Sequence, residues 1–169
     1  MKKILFNILR KILWVLNPKK ATKYQYYFLK KNGMNFRGKP RYISGSVWFD
    51  GSNYKKIKIG AGVTISSNVR ILTHDWAADT IFEGLTGKRD YNNPIGVIRG
   101  VEVGDYCFIG TGSILMPGTV LGNRCVVAAG AVVRGKYDDE CVIIGNPSFA
   151  IENTSSKKLV QKYTVIENE

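Results

Sequence analysis

Cut every six residues, positions 103–138 read VGDYCF, IGTGSI, LMPGTV, LGNRCV, VAAGAV and VRGKYD. Each block opens on a branched aliphatic: Val103, Ile109, Leu115, Leu121, Val127 and Val133. The next position is Gly in three blocks and Ala in a fourth. A small residue stands four places after the aliphatic (Cys107, Ser113, Thr119, Cys125 and Ala131) until Tyr137 breaks the rule. Upstream, IGAGVT (59–64) and ISSNVR (65–70) keep the same frame, and a third block opens at Ile71. Six residues are too many for a helical turn and too few for a hairpin, but they suit a short strand followed by a turn. Three such units close a triangular coil of 18 residues, and coils stacked at about 4.8 Å would pair as parallel strands. The aliphatic then points into the prism, the small residue sits inside near a corner, and glycine relieves a turn that asks for positive φ. The pattern predicts an all-β chain, a parallel β-helix over roughly 40–145, and leaves its hand open.

The chain has 169 residues, enough for one core with appendages. Its formal net charge of +12 invites a nucleic-acid reading, which the distribution of charge removes. Residues 1–41 hold twelve Lys or Arg and no acid, leaving 13 bases against 13 acids in residues 42–169. The body is neutral, and no nucleic-acid partner is expected. The arm opens MKKILFNILRKILWVLNPKK, with Ile4, Leu5, Ile8, Leu9, Ile12, Leu13, Val15 and Leu16 near helical spacing and Pro18 closing the segment. Arg10 and Lys11 interrupt the apolar run and no small-residue cleavage site follows, which argues against a secretory signal. The run is also too short to span a bilayer. Two readings stay open: an amphipathic helix lying on an anionic membrane face through residues 1–17, or a helix packed on its own domain or on a partner subunit. Cysteines 107, 125 and 141 are odd in number without metal-ligand spacing, so a reducing cytoplasm is expected and neither disulfide nor metal is indicated. Cys107 and Cys125, one coil apart, should stack as small core residues.

The segment IGTGSILMPGTVLGNRCVVAAGAVVRG (109–135), followed by IIGNPS (143–148), resembles the hexapeptide-repeat acyltransferases, and within them the sugar O-acetyltransferase branch. That resemblance implies a left-handed coil, a homotrimer and acetyl-CoA as donor. The acceptor it implies is a saccharide, such as a maltose-like sugar, a galactoside or a capsule or lipopolysaccharide unit, one form of which is held on a membrane lipid. It covers about residues 57–150. The organisation expected is a basic, partly helical arm at 1–41, a catalytic β-helix at 42–150 with a loop ejected over about 76–97, and a tail at 151–169. The location expected is cytoplasmic, with the arm touching the inner face of the cell membrane.

The frame breaks after ILTHDW (71–76) and returns near Val97, and a long insertion in a regular coil is where a functional loop belongs. In the resembling family such a loop reaches over the neighbouring subunit and walls the active site. His74, the chain's one histidine, stands at the mouth of this loop, where the family has its catalytic base. A sugar hydroxyl is a poor nucleophile, so a neutral imidazole must take its proton as it attacks the thioester, and no acyl-enzyme is required. The group that orients the ring is open among Asp75, Asp79, Glu83, Asp90 and a backbone carbonyl. Asp75, Trp76 and Asn68 are candidates for holding the acceptor, and the Gly110–Gly112 turn could offer oxyanion donors. By family correspondence, Thr111, Gly112 and Ala129 line the pantetheine channel, with Gly130, Asn146 and Pro147 near the adenine end. Arg134 and Lys136 are candidates for the nucleotide phosphates, although the family's frequent Thr-Lys is replaced here by Arg134-Gly135-Lys136.

Two other enzyme readings keep the fold and change the acceptor to an antibiotic hydroxyl or a sugar amine. A non-catalytic β-helix scaffold would need neither the loop histidine nor the Gly145-Asn146-Pro147 closure. A γ-type carbonic anhydrase needs three histidine ligands and is excluded by one.

Overall fold

The computed structural model describes residues 2–92, 94–147 and 149–153. Short strands recur at the period read from the sequence and stack into three parallel walls. The first wall carries Phe36, Ile59, Val103, Leu121 and Tyr137 in register, the second Ile43, Ile65, Ile109, Val127 and Ile143, and the third Phe49, Ile71, Leu115 and Val133. Each of these aliphatics points into the prism; Ile59, Ile65, Ile71, Ile109, Leu115, Val127 and Val133 are fully buried. The small residues four positions later are inside as well, from Cys107 to Ala131. The first coil begins with Asn35–Phe36, ahead of the boundary expected at 42, because Phe36, Ile43 and Phe49 stack beneath Ile59, Ile65 and Ile71. At the C-terminal end Phe149–Asn153 pairs antiparallel with Cys141–Ile144. From residue 154 the expected tail lies outside the described residues.

Two separate demands put glycine in the repeat. The glycine after the aliphatic is not a left-handed residue but a close approach: a Cβ on Gly110 would lie 2.6 Å from Ala129 N and Val127 O of the next coil. Positive φ moves to the third place, Gly135, in the last block and falls at the fourth place of seven others, at Gly62, Asn68, Tyr106, Gly112, Gly118, Arg124 and Gly130. Glycine takes that place most often because it alone pays no steric cost there.

The arm folds as two helices, α1 (Lys2–Leu16) and α2 (Pro18–Lys31), with Asn17 between them. Its side chain accepts from Lys20 N–H at 3.0 Å and Pro18 occupies the first turn, where the missing N–H is not needed. The helices pack on each other by stacking Phe6 on Phe28 at 3.7 Å, and α2 buries Ala21, Gln25 and Leu29. Gln25 Nε2 donates to Ile43 O at 2.9 Å, tying α2 to the first coil. The inward stripe of α1 is Phe6, Arg10 and Trp14 rather than its aliphatics: Ile4, Leu5, Ile8, Ile12, Val15 and Leu16 are all more than half exposed or at that mark. The helix thus packs on its own domain and still turns an apolar face outward. Among the described residues no helix is long and apolar enough to cross a membrane.

Candidate active site

The chain leaves the coil after Leu72 and Thr73 and returns at Arg99, whose N–H donates to Thr73 O at 3.0 Å. Between these points His74–Asp75 pairs antiparallel with Val97–Ile98, and the excursion carries a third helix, α3 (Ala77–Thr86). The polar, interrupted sequence of 76–97 reads as loop, yet the Asp75 carboxylate accepts from Ala77 N–H at 3.0 Å and starts the helix, and Gly87 ends it in the left-handed conformation. Asp79 is buried beneath the excursion, accepting from Ile95 N–H at 2.9 Å with Arg89 3.8 Å away. Gly96 lets the returning strand pass under Trp76, since a Cβ there would lie 2.2 Å from the indole ring. The same indole lies 5.5 Å from the His74 ring, between centroids. These contacts fix the mouth of the loop around a partly exposed imidazole.

His74 Nδ1 lies 2.5 Å from Asp50 Oδ2. Asp50 follows Phe49 on the coil below, so the stacking of Phe49 on Ile71 brings it under Leu72 and Thr73. It is 2 % exposed. Its carboxylate also accepts from the Thr73 hydroxyl, from Thr73 N–H at 3.2 Å and from Ser52 N–H at 3.0 Å. Burial works to raise its pKa; the hydrogen bonds from Thr73, Ser52 and His74 outweigh it and hold the carboxyl at about 2. An ionised carboxylate can only accept, so Nδ1 must carry the proton, and the lone pair of the neutral ring is on Nε2. Among the described residues nothing is hydrogen-bonded to Nε2. A histidine held in this tautomer by a buried carboxylate is arranged to take a proton.

None of the orienting groups suggested by the sequence does this work: Asp75 starts α3, Asp79 and Glu83 face Arg89, and the Asp90 carboxylate accepts from Asn92 N–H. Asp50 was missed because it lies 24 residues before His74, on a coil outside the clean six-residue frame. Its signal was available: FDGSNY (49–54) aligned under ILTHDW (71–76) places the chain's first acid one coil below the histidine.

The expected donor-binding residues fall in two places. Thr111, Gly112, Ala129 and Gly130 form one column on the corner between the second and third walls, and Asn68, expected at the acceptor, lies on the same corner one coil below Gly112. Gly112 N–H donates to Ser67 O at 2.9 Å and Gly130 N–H to Thr111 O at 2.8 Å. Val132 N–H donates to Gly145 O, so Asn146 and Pro147, joined by a cis peptide, continue the corner upward. The space over Gly112 and Gly130 is open, with nothing within 4 Å of where a Cβ would be. Such an exposed ladder of main chain suits an extended amide-bearing ligand. Arg134 is instead beyond the far edge of the third wall, on the corner that follows Val133 and that carries His74 two coils below, and Lys136 opens the next strand of the first wall, paired with Val120. The Gly110 and Gly112 amides are engaged in coil-to-coil bonds, so they are not free as oxyanion donors. Cys107 and Cys125 are buried, their thiols directed at the carbonyls of Gly122 and Asp138. Their mutual contact pushes the Cys107 thiol up and draws the Cys125 thiol down to about 7, and burial keeps both away from solvent. Among the described residues no cluster of side chains could hold a metal ion.

A model of the bacterial transferase hexapeptide (six repeats) matches residues 100–135. The chain is 34% identical over 125 residues to protein CapG of Staphylococcus aureus, an alignment covering 74% of this chain and 69% of that one. The chain belongs to the bacterial hexapeptide-repeat transferase family. A lipopolysaccharide biosynthesis O-acetyl transferase of Escherichia coli K12, WbbJ, described as putative, is 28% identical over 116 residues, 66% of this chain and 53% of that one. The chain spans about half the length of the first curated relatives it matches. Among solved structures, a galactoside acetyltransferase in complex with coenzyme A superposes with a TM-score of 0.58 at 16% identity, covering 94% of this chain and 84% of that one. This last likeness is one of fold, and it makes the coil of this hexapeptide-repeat transferase a left-handed parallel β-helix.

Proposed function

We propose that this hexapeptide-repeat transferase moves an acetyl group from acetyl-CoA to a saccharide hydroxyl, with His74 as general base and Asp50 as the residue that positions it. The observation that carries the reading is the Asp50–Thr73–His74 arrangement at the mouth of the ejected loop, which leaves Nε2 free toward solvent. Acetyl-CoA supplies the activated thioester. His74 Nε2 takes the acceptor's hydroxyl proton as its oxygen forms a bond to the acetyl carbon, and returns that proton to the sulfur as the carbon–sulfur bond breaks. The products are an acetyl ester and the free thiol, and the buried cysteines take no part. The open corner from Thr111 to Pro147 supports a pantetheine channel there, in keeping with the coenzyme A bound by the galactoside acetyltransferase of similar fold.

The reading includes a homotrimer in the cytoplasm. Ile81, Phe82 and Leu85 of α3 are uncovered in a single chain, as they would be if the loop lay over a neighbouring copy. In that assembly Arg134 and Lys136 of one copy are the candidates for phosphate contacts to a donor held by another. The outward aliphatic face of α1, beside exposed Lys11, Lys19, Lys20 and Lys23, supports peripheral contact with an anionic membrane, which co-sedimentation with phosphatidylglycerol vesicles would check.

The deciding experiment offers acetyl-CoA and a panel of maltose-like sugars, galactosides, lipid-linked saccharides, amino sugars and chloramphenicol, and follows release of free thiol. Turnover on a saccharide hydroxyl is the expected result. Turnover only on an amine or an antibiotic hydroxyl would move the activity to the alternative acceptors, and no thiol release with any acceptor would favour a non-catalytic scaffold.

A further inference from the structure

The outward side of the third wall holds a groove of about 770 Å³ bounded by α1 on one side and by the Asn68–Gly112 corner on the other. Arg10 and Lys11 of α1 and Arg70 of the wall converge on it, with Trp48 between them. Among the described residues none of the three cations is in an ion pair. Arg10 is the unusual one, being 7 % exposed, with Nη1 donating to Val47 O at 2.5 Å and lying 3.5 Å from Gln25 Oε1. Its Nε is buried without any hydrogen-bond partner. A buried guanidinium without a carboxylate is costly, and burial pulls its pKa down without making it neutral. An anion entering the groove would balance the charge of this guanidinium.

We propose that this groove binds the phosphate or diphosphate of the acceptor, so that the substrate is a phosphate-bearing saccharide; this rests on the acetyl-transfer reading above. Three cations around one groove suit a group of two or more negative charges better than a single carboxylate, and planar guanidinium groups match phosphate oxygens. The exposed indole of Trp48 offers an apolar face for the sugar ring. Position separates this site from the donor's. Trp48, Arg70 and Ile114 place the groove on the first three coils, while the open corner assigned to coenzyme A climbs from Thr111 on the third coil to Pro147 at the top, and the two meet at Gly112. His74 belongs to the second coil, within the span of the groove, and Leu72, two residues before it, is part of the groove's lining. The opposite face of α1 is the apolar one, so a single helix would meet the lipid and the charged linkage of a lipid-held acceptor at once.

Calorimetric titration of the full chain with inorganic pyrophosphate, alone and in saturating coenzyme A, tests this. The expected result is binding that survives coenzyme A and weakens about tenfold or more in each of Arg70→Gln and Lys11→Gln, the size of one charge-assisted contact. Both side chains are exposed, so these variants keep the fold; Arg10→Gln is added where it folds and should lose more. Three outcomes would overturn the proposal: no pyrophosphate binding, unchanged binding in the variants, or displacement by coenzyme A with the same variants losing coenzyme A affinity. In the third case the groove is the donor's. Coenzyme A titrated alone reports on the parent reading: its failure to bind while pyrophosphate still binds would remove acetyl transfer and leave the groove as an anion site.

Discussion

The coils from Val103 to Val133 and the excursion from His74 to Ile98 are adjacent in the molecule and obey opposite rules. In the coils every sixth side chain is buried and most main-chain groups are paired with the coil above or below. In the excursion Ile81, Leu85, Val97 and Ile98 face outward, and order comes from a few polar anchors, Asp50, Asp75 and Asp79. The regular part holds its shape through many equivalent contacts, so single small changes are absorbed. The irregular part depends on particular atoms, and its residues should be far more sensitive to substitution.

The largest effect is expected at the base. His74→Ala should lower kcat by about 10²–10⁴-fold, the contribution of a positioned general base, with the dissociation constant of coenzyme A nearly unchanged. A kcat close to wild type would place the base elsewhere. Asp50→Asn should come next, lowering kcat by about 10²-fold, because an amide can donate to Nδ1 and stabilise the wrong tautomer. The same variant sharpens the comparison through acid stability. Asp50 has its folded pKa lowered from 3.8 to about 2, so its stabilisation is complete above pH 4 and is lost as the pH falls through about 2. Acid titration of unfolding should therefore show a steeper loss between pH 4 and 2 in the wild type than in Asp50→Asn, and identical curves would mean that the carboxylate is not held as described.

A smaller effect is expected one step away, at Gly96. A methyl group there meets both the Trp76 ring beside His74 and the Asp75 carbonyl, and Gly96→Ala should reduce kcat about tenfold and lower the melting temperature by several degrees. Equal activity would show that the indole does not define the mouth. The smallest effect belongs to the regular coils. Cys107→Ala should cost about 1 kcal/mol of stability or less and keep kcat within about twofold, since the site is a small-residue slot already filled by Ala131 elsewhere. Loss of turnover in a folded Cys107→Ala protein would point to a covalent route instead of direct transfer.

The contrast also sets what could be read from sequence. The coils were legible because one requirement, an inward aliphatic at a fixed period, is imposed six times over. His74 was legible because it stands where that period stops. Asp50 was not, because the first coil spaces Phe36, Ile43 and Phe49 by seven and six residues and then inserts the turn at Tyr54–Lys56, so its register with Ile71 emerges only from the stacked strands. The helix in the excursion was hidden for a related reason: its apolar residues answer to no core in the chain. The inward face of α1 was misleading in the opposite sense, since helical periodicity marks the aliphatic stripe while packing uses Phe6, Arg10 and Trp14.

Because His74 is the one histidine, its ring nitrogens give an unambiguous nitrogen-15 NMR signature. At a pH where the imidazole is neutral, the wild-type spectrum should show a protonated Nδ1 and an unprotonated Nε2, and Asp50→Asn should shift the ring toward the other tautomer. A wild-type ring protonated at Nε2 would contradict the assignment of His74 as a base held by Asp50.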